Sequence, residues 1–581
     1  MFLPLLLAVT LVQSDSVDVL VRGGTVYDGS GRPGRVTDVG IRGDRIVFVG
    51  DGARAGVRAG RTLNARGLIV GPGFIDPHTH SLEGLPFVSE ESRRNVSALM
   101  QGVTTVTIGS DGRGPIDVAR VMNVSEQAGL GTNVYTLVGF GTVRVHVMGL
   151  SSAPASPAQI DSMRALVGKA MREGAYGVGS GLFYDPQSYA TTEEVIAVVS
   201  AAKPYGGVYD THLRDESSYS VGLLNSVREA IRIGRESGLT TNLGHVKALG
   251  VDVWGSADSV LHLMREERAR GHMVVADHYP YTASATRLSS ALLPRWAEAG
   301  GRDSLRARIA DAATREKILG EMRENLRRRG GDSTLLVITM AFGPLGQTLN
   351  ASDAARAYIG KTLKQVAAEK GTSAVETALE MIRTGFDMGM ASFNMNERDI
   401  ETFLKDPFVM TSSDGGVGHP RLYGTYARKI RSYVLDKPVI TMQRMIESSS
   451  RQVAEIYGIR ERGSIREGYF ADVIVFDPET IRDEATYVEP GKLSVGMRWV
   501  LVNGRFAVDE GRPMGAFAGR VLRKRWAAPA IDGGTLTRET IGQSASGGAG
   551  PTVAPFTAVE RRPRRPCATG VRSPWASRHE V

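Results

Sequence analysis

The sequence of 581 residues contains a single cysteine, Cys567. One cysteine excludes a disulfide within the chain and any cluster of several thiolates, so soft metals are not expected, whereas sites built from His and carboxylates remain open. No apolar run reaches the roughly 20 residues of a membrane-spanning helix, which argues against an integral membrane protein. Apolar residues make up 42% and charged residues 23%, values that exclude wholesale disorder, collagen and coiled coil.

Acidic residues are in the minority, with 62 Asp and Glu against 70 Lys and Arg and a net charge of +8. The segment after Arg520 holds 10 of the basic and 4 of the acidic residues, and therefore +6 of that charge. Residues 527–581 are rich in Gly, Ser, Pro and Arg without periodicity, which predicts a disordered basic tail. Such a tail could bind nucleic acid or anionic lipid, but its composition favours a solvated appendage, and the folded body is not expected to bind nucleic acid.

Residues 1–14, MFLPLLLAVTLVQS, are apolar over a stretch too short to span a membrane. Val12 and Ser14 could stand three residues and one residue before a signal peptidase cleavage site, although no Lys or Arg precedes the apolar run. This pattern predicts a signal peptide and a periplasmic or secreted protein. The alternative is a different start or a first strand, and then a cytoplasmic protein.

Both chain ends have the pattern of short strands joined by glycine turns. Residues 15–70 include VDVLVRGGTVYDGSG and DVGIRGDRIVFVG, and residues 463–526 include ADVIVFDP and RWVLVNGRFAVDEGR. Strand, glycine turn and strand are typical of hairpins. These two segments predict one small β-sandwich domain formed from both ends of the chain.

Residues 71–462 alternate apolar strands with amphipathic helices, which predicts an α/β domain with a parallel sheet. The number of units fits a TIM-type (β/α)8 barrel. A doubly wound open sheet would also alternate, but no glycine fingerprint for a dinucleotide follows the early strands. Residues 283–350 are rich in Arg and helical pattern, and are predicted to be an insertion.

Histidine is scarce, with ten residues, and two of them form Pro-His-Thr-His after the strand LIVGPGFID. His78 and His80 are two residues apart, a spacing that places side chains on one side of a strand. The carboxyl end of a barrel strand is where active sites lie, and two imidazoles there suit a divalent metal. His-x-His alone is a weak signal, since packing explains many such pairs.

Four further strand ends carry residues that can bind a metal. GVTTVTIG is followed by Asp111, GGVYDT by His212, LTTNLG by His245 and FVMTSS by Asp414. A single histidine in such a place is more often structural. Five strand ends with His or Asp together are hard to explain by packing and predict a metal site.

These motifs resemble the N-acyl-D-amino-acid deacylases (D-aminoacylases) of the amidohydrolase superfamily, from about Val17 to Arg525. The resemblance rests on GPGFIDPHTH, QGVTTVTIG, EGAYGVGSGLFYDP, GGVYDTHLRDES, GHVKALG, ADHYPYTAS, VMTSSDG with HPRLYGTY, and REGYFADVIVFDP. PHTH alone is typical of the whole superfamily, whereas THLRDE, GHVKALG and DHYPYTAS in this order are specific to the D-aminoacylase branch. The family combines a barrel with a small β domain made from both termini.

The resemblance implies a role for each of these residues. His78 and His80 would bind one metal, with Asp414 nearby, and His212 and His245 would bind a second, usually tighter one. Zinc is the usual ion, in one or two sites. Asp414 would be the general base that takes a proton from the attacking water and returns it to the departing amine.

One motif departs from the family. After the second strand, the family's usual motif is Gly-Asn-Cys-Gly, and its Cys bridges the metals. In this sequence the segment is Gly109-Ser110-Asp111-Gly112, with Asp111 in the place of the Cys. A carboxylate can bridge two cations through its two oxygens, so Asp111 keeps a binuclear site possible while manganese or cobalt become more favourable than with a thiolate. The alternative is that Asp111 is only a turn residue.

The resemblance also implies residues that meet the substrate carboxylate. They are Lys247, Arg421, Tyr184 and Tyr279, of which Arg421 has the forked shape that suits a carboxylate. The predicted fourth strand, AYGVGSGLF, has no lysine that could be carbamylated as in other amidohydrolases.

The predicted function is hydrolysis of N-acyl-D-amino acids to a carboxylate and a free D-amino acid. The alternatives are a D-specific dipeptidase or a cyclic amidase on the same scaffold, the latter disfavoured by the missing lysine, and a non-catalytic amidohydrolase-like protein, disfavoured by the intact set of four histidines with Asp414. The acyl group, the side chain of the D-amino acid and the oligomeric state do not follow from the sequence.

Overall fold

The computed structural model describes residues 16–338 and 357–526, which belong to one compact unit, Met1–Ala528. The predicted signal peptide at residues 1–14, the predicted tail at residues 527–581 and part of the predicted insertion lie outside the described residues. Within the described ranges, no helix has both the length and the apolar character needed to cross a membrane.

Strands and helices alternate along most of the chain. The strands of the described residues are β1 (Ser16–Val26), β2 (Arg35–Arg42), β3 (Arg45–Gly50), β4 (Arg58–Asn64), β5 (Ile69–Pro72), β6 (Phe74–Asp76), β7 (Val103–Ile108), β8 (Asn133–Thr136), β9 (Val138–Gly139), β10 (Gly177–Gly181), β11 (Val208–His212), β12 (Thr240–Leu243), β13 (Val274–His278), β14 (Ala283–Arg287), β15 (Leu335–Ile338), β16 (Gly389–Phe393), β17 (Val409–Thr411), β18 (Val473–Phe476), β19 (Met497–Val502), β20 (Arg505–Asp509) and β21 (Arg512–Pro513). The longer helices are Val118–Ala128, Phe140–Met148, Pro157–Arg172, Thr192–Val199, Leu223–Ser237, Ala257–Ala269, Gly301–Ala310, Ala312–Arg328, Leu363–Lys370, Ala374–Arg383, Glu397–Lys405, Arg421–Ile430, Met442–Ser448 and Arg451–Tyr457.

Both chain ends contribute to a single nine-stranded sheet, in the order β21-β20-β19-β18-β5-β1-β2-β3, with β4 paired to β1. The two ends meet where β18 runs antiparallel to β5. A glycine-turn hairpin, as predicted within RWVLVNGRFAVDEGR, is present between β19 and β20, where Asn503 and Gly504 both have positive φ, at 50° and 75°. The tight two-residue turn that fits twisted strands requires positive φ at both of its central residues. The sequence prediction of one β unit from both ends agrees with this sheet, while its sandwich form and its exact domain boundaries stay predictions.

The middle of the chain forms two parallel sheets. One has the order β17-β13-β12-β11-β10-β9 and the other β6-β7-β8. Leu137 alone separates β8 from β9, and an isolated parallel bridge joins Thr79, after β6, to Gly415, after β17. The α/β class with parallel strands is as predicted. Because the hydrogen-bonded ladder is interrupted at these two places among the described residues, the closed eight-stranded barrel stays a prediction.

An antiparallel sheet interrupts the parallel series between β13 and β17. It has the order β14-β16-β15 and is covered by helices that include Ala312–Arg328 and Ala374–Arg383. Its apolar core is separate from that of the parallel strands and includes Leu319, Leu335 and Met390. This interruption runs to Phe393, past the predicted end near residue 350, because β16 pairs with both β14 and β15.

Candidate metal centre

The six side chains predicted for metal chemistry meet at the carboxyl ends of the parallel strands, where five of them line one cavity and His78 contacts it through Asp111. Each follows or ends a different strand except the first two, which share β6. In chain order they are His78 and His80 after β6, Asp111 after β7, His212 at the end of β11, His245 after β12 and Asp414 after β17. All six are buried or nearly so. Parallel strands end at the same edge, so residues far apart in the chain are brought together there.

Asp111 lies between the predicted pairs of histidines. Its Oδ1 is 3.3 Å from His78 Nε2 and 3.5 Å from His245 Nε2, and its Oδ2 is 3.6 Å from His80 Nε2. The imidazole of His245 is in turn 4.5 Å from that of His212, centroid to centroid. The carboxylate therefore faces His78 and His80 of one predicted pair and His245 of the other.

Three of the residues in this cavity have a left-handed backbone, which is costly for residues other than glycine. The φ values are 56° at Asp111, 36° at His245 and 45° at Asp414. Buried hydrogen bonds hold these turns: Asp414 N donates to His78 O at 2.8 Å, and His245 N donates to Asp277 Oδ1 at 2.8 Å. Strained backbone of this kind is concentrated at functional sites.

The polar atoms of the cavity fit a divalent cation. Both ring nitrogens of His78 and Oδ1 of Asp111 are buried, yet none of them forms a hydrogen bond of acceptable geometry with any residue of the described ranges. Buried polar atoms are rarely left in this state, because each loses its hydration without compensation. Ligand atoms of His78, His80 and Asp111 lie within 4.8 Å of one another, as do those of His78, His245 and Asp414. Imidazoles with carboxylates are a donor set suited to zinc and its neighbours.

Electrostatics in the cavity favours positive charge. Burial opposes protonation of His80, but Glu83 and Asp414 outweigh it and raise the pKa of this imidazole to about 9. Glu83 Oε2 lies 2.8 Å from His80 Nδ1. At His212 burial prevails and lowers the pKa to about 4, so this ring is neutral and has a lone pair available at neutral pH. A cation bound among these groups would take the place of the proton on His80.

Asp414 is held in its ionised form. Burial alone would raise its pKa, but Arg421, whose Nη1 lies 2.8 Å from Oδ2, holds that pKa well below the usual range, with help from His245. The other oxygen, Oδ1, is 3.4 Å from His80 Nε2. The carboxylate thus faces the predicted metal ligands on one side and a guanidinium on the other.

The predicted substrate residues line the same cavity. Lys247 Nζ is 2.6 Å from Glu216 Oε1 and 2.8 Å from His245 Nδ1. The Tyr279 ring stacks under the cations, with its centroid 4.8 Å from Arg421 Cζ, and its hydroxyl has no hydrogen-bond partner among the described residues. The Tyr184 ring packs edge-on against His212 at 4.8 Å.

Acidic residues that the sequence reasoning did not assign surround the histidines. Glu216 contacts His245 Nδ1 at 3.2 Å and His212 Nε2 at 3.8 Å, in addition to Lys247. Asp210 Oδ1 lies 3.6 Å from His78 Nδ1. Asp210 could have been found from its position two residues before His212 on β11, which puts both on one side of the strand. Glu216 lies within the motif THLRDE together with His212, but its other partners, His245 and Lys247, are remote in sequence.

Residues of other elements complete the lining of the cavity. They are Phe183, Tyr219, Leu249, Ser284, Ala285, Thr286 and Arg329. Ser284 and Thr286 come from β14, and Arg329 follows the helix Ala312–Arg328, so part of the lining belongs to the insertion.

Comparison with known proteins defines the class to which this fold and site belong. The amidohydrolase family matches residues 61–508, which is most of the chain. The chain therefore belongs to the amidohydrolase family, and within it to the branch of the N-acyl-D-amino-acid deacylases that the motifs predicted, as its relatives show.

The relatives match over nearly their whole length. D-aminoacylase of Alcaligenes xylosoxydans xylosoxydans is 32% identical over 88% of this chain and 99% of its own. A solved D-aminoacylase, described with a binuclear metal centre, is 31% identical, with a TM-score of 0.72 over 87% of this chain and 100% of that one. N-acyl-D-glutamate deacylase of Bordetella bronchiseptica, solved with zinc and a phosphonate inhibitor, is 28% identical with the same TM-score and coverage.

Proposed function

We propose that this protein is a metal-dependent amide hydrolase that cleaves N-acyl-D-amino acids to a carboxylate and a free D-amino acid. The observation that carries the proposal is the buried cluster in which four histidines, Asp111 and Asp414 meet beside two cationic side chains. The preference for a D-amino acid rests on the deacylase relatives, whose sequences align with this chain over most of their length.

His78, His80, Asp111, His212 and His245 would hold the ion or ions. We propose zinc, in one or two sites, with manganese and cobalt as the alternatives that the carboxylate of Asp111 allows. A divalent ion bound there lowers the pKa of water and polarises the amide carbonyl. Asp111 would keep the two pairs of histidines together, because each of its oxygens faces at least one of them.

Asp414 would carry the proton. Ionised at neutral pH, it can accept a proton from the attacking water and return it to the departing amine. Its pairing with Arg421 orients the carboxylate, while Oδ1 remains on the side of His80. Proton transfer from water to leaving group within one cavity needs no further acid.

The substrate carboxylate would bind on the cationic side. Arg421 and Lys247 are buried next to the predicted metal ligands, and the hydroxyl of Tyr279 is available for a hydrogen bond. Both cations already have a protein carboxylate partner, Asp414 and Glu216. A substrate carboxylate would therefore share Arg421 with Asp414 and Lys247 with Glu216. Binding beside Arg421 favours an arrangement in which the reacting amide lies over Asp414.

We further propose that the two parallel sheets belong to a TIM-type (β/α)8 barrel and that the nine-stranded sheet is the core of a small β-sandwich domain. The link between Thr79 and Gly415 supports the barrel, because it joins the segments after the first and last parallel strands. Residues 1–14 are proposed to direct export to the periplasm or medium; without export the protein would be cytoplasmic. The proposed partner is a small molecule.

Two alternative enzymes use the same chemistry. A D-specific dipeptidase differs only in the acyl group. A cyclic amidase is disfavoured because β10, Gly177–Gly181, carries no lysine.

The test is metal analysis of the purified protein together with a screen of N-acetyl-D- and N-acetyl-L-amino acids and D-dipeptides. We expect bound divalent metal and turnover of the D-enantiomers only. Faster cleavage of D-dipeptides would favour the dipeptidase, and equal cleavage of both enantiomers, or none with a metal-loaded protein, would reject the proposal.

A further inference from the structure

Arg329 is a buried cation that the insertion contributes to the lining of the cavity. It follows the helix Ala312–Arg328 and is only 1% exposed. Its side chain lines the same cavity as His212 and Lys247. It therefore belongs to the space that a substrate would occupy, although no family motif quoted above contains it.

The contacts of Arg329 are with uncharged groups. Its Nε donates to Ala291 O at 3.1 Å and its Nη1 to Ser392 Oγ at 3.2 Å. Across residues 16–338 and 357–526 no carboxylate lies within ion-pair distance of this guanidinium. The two other cations of the cavity differ, since Lys247 is paired with Glu216 and Arg421 with Asp414.

A buried charge without a counter-ion is costly, because its hydration is lost and nothing replaces it. Such a group is expected where a ligand supplies the missing charge. Tyr219 strengthens this view: its ring centroid is 5.4 Å from Arg329 Cζ, and its buried hydroxyl has no hydrogen-bond partner among the described residues. Arginine and tyrosine together would offer several donors to one anion.

We propose that Arg329 binds a second carboxylate of the substrate, carried by the side chain of an acidic D-amino acid. This inference rests on the proposed function and names its substrate class. The α-carboxylate has its own cations in Lys247 and Arg421, so the remaining buried guanidinium is left for another anionic group. The planar fork of arginine matches a carboxylate through two parallel hydrogen bonds.

The test compares substrates of equal size that differ in charge. N-acetyl-D-glutamate is paired with N-acetyl-D-glutamine, and N-acetyl-D-aspartate with N-acetyl-D-asparagine. The wild-type metal-loaded enzyme should prefer the acidic member by about tenfold or more in kcat/KM, the scale of a hydrogen bond to a charged group. Arg329→Met should abolish most of this preference by lowering kcat/KM for the acidic member alone. Arg329→Lys keeps the charge but loses the forked guanidinium, so its preference for the acidic member should lie between those of the wild type and Arg329→Met.

Arg328→Met is the matched control. Arg328 is the preceding residue of the same chain segment, but it pairs with Glu324 at 3.2 Å and does not line the catalytic cavity. This variant removes one positive charge from the same place in the chain, and it should keep the preference for the acidic member. Thermal unfolding of each variant shows whether the fold is intact.

Two outcomes with an active enzyme would overturn the inference. The first is a wild-type enzyme without preference between the members of a pair. The second is an Arg329→Met variant that loses activity equally on both members, which would point to the α-carboxylate or to the fold. A wild type that cleaves no N-acyl-D-amino acid would reject the proposed function instead. The inference is then tested by calorimetric binding of the same pairs, and equal affinity for both members would overturn it.

Discussion

The cavity has two unlike sides. On one side, the side chains that follow or end β6, β7, β11, β12 and β17 pack closely against one another, as in the contact of 3.3 Å between His78 Nε2 and Asp111 Oδ1. On the other side, Arg329 and β14 belong to an insertion with its own apolar core, and the cation there has no charged partner among the described residues. The groups proposed for chemistry follow the parallel strands, as do Lys247 and Arg421, the proposed partners of the α-carboxylate, whereas the proposed contact to a second carboxylate comes from the insertion.

This division has a physical reason. Strand ends inside a hydrogen-bonded parallel sheet are rigid, and catalytic groups need positions accurate to a fraction of an ångström. An inserted segment with a separate core can change without disturbing the strands, so it can adapt to different side chains or acyl groups. If the division is correct, variants on the strand side should change metal content and kcat, whereas variants in the insertion should change substrate preference or stability.

The largest effect is expected on the strand side, from His245→Ala. Removing this ligand should strip most of the bound metal and lower kcat by roughly 10³-fold or more, because the ion that activates water is lost. Metal content is measured by elemental analysis and activity by release of the D-amino acid. His262→Ala, at an exposed position on the helix Ala257–Ala269, is the control and should change neither. Unchanged metal content in His245→Ala would contradict the assignment.

Asp414→Asn should come next. It keeps the size of the side chain but cannot accept a proton, so kcat should fall by about two to four orders of magnitude. Metal bound by His212 and His245 should remain, since both residues are untouched. A change confined to KM, or a loss of activity explained by lost metal, would show that Asp414 is a ligand or a structural residue and not the proton carrier.

A smaller effect is expected from Glu216→Gln, which tests the support behind the metal ligands. Lys247 loses its carboxylate partner and His245 its neighbour at 3.2 Å, so metal affinity should fall by about 10–100-fold, the scale for residues that orient a ligand. Competition with a chelator measures this affinity. Glu229→Gln, which loses an ion pair with Arg214 outside the cavity, serves as control. Equal metal affinity in wild type and Glu216→Gln would remove this residue from the site.

The smallest effect on chemistry is expected from the core of the insertion. Leu319→Ala removes a side chain that is 1% exposed and should lower the free energy of unfolding by about 2–5 kcal/mol. Metal content should stay at the wild-type value, because no metal ligand comes from this core. Denaturant unfolding measures the free energy of unfolding, and elemental analysis measures the metal content. Loss of metal in this variant would show that the two sides of the cavity are not independent.

Much of the strand side could be predicted from the sequence. His78, His80, Asp111, His212, His245 and Asp414 all follow apolar strands, and a parallel arrangement puts such positions at one edge. The hairpin between β19 and β20 was also predicted, because a glycine turn between two apolar stretches is typical of hairpins. In both cases the information is local: a strand, its end and the residue that follows.

The partners of the charged residues could not be predicted in this way. Lys247 was expected to face the substrate, and the structure shows its Nζ 2.6 Å from Glu216, a residue 31 positions away. The insertion was expected to end near residue 350, but β16 at Gly389–Phe393 returns to pair with β14. Contacts between remote segments depend on how the segments pack, which no local pattern contains.

The sequence by itself determined the α/β class, the β sheet shared by the chain ends and the residue types for a metal site, because strand periodicity and the order of motifs are properties of neighbouring residues. The tertiary structure was needed to show that Asp111 lies between two pairs of histidines and that Glu216 and Asp414 are the partners of the two nearby cations. It was also needed to show that Arg329 reaches the cavity without a carboxylate partner among the described residues. These facts depend on distances between side chains on different elements, and burial away from water makes a charge strongly attracted to a partner and costly to leave unpaired.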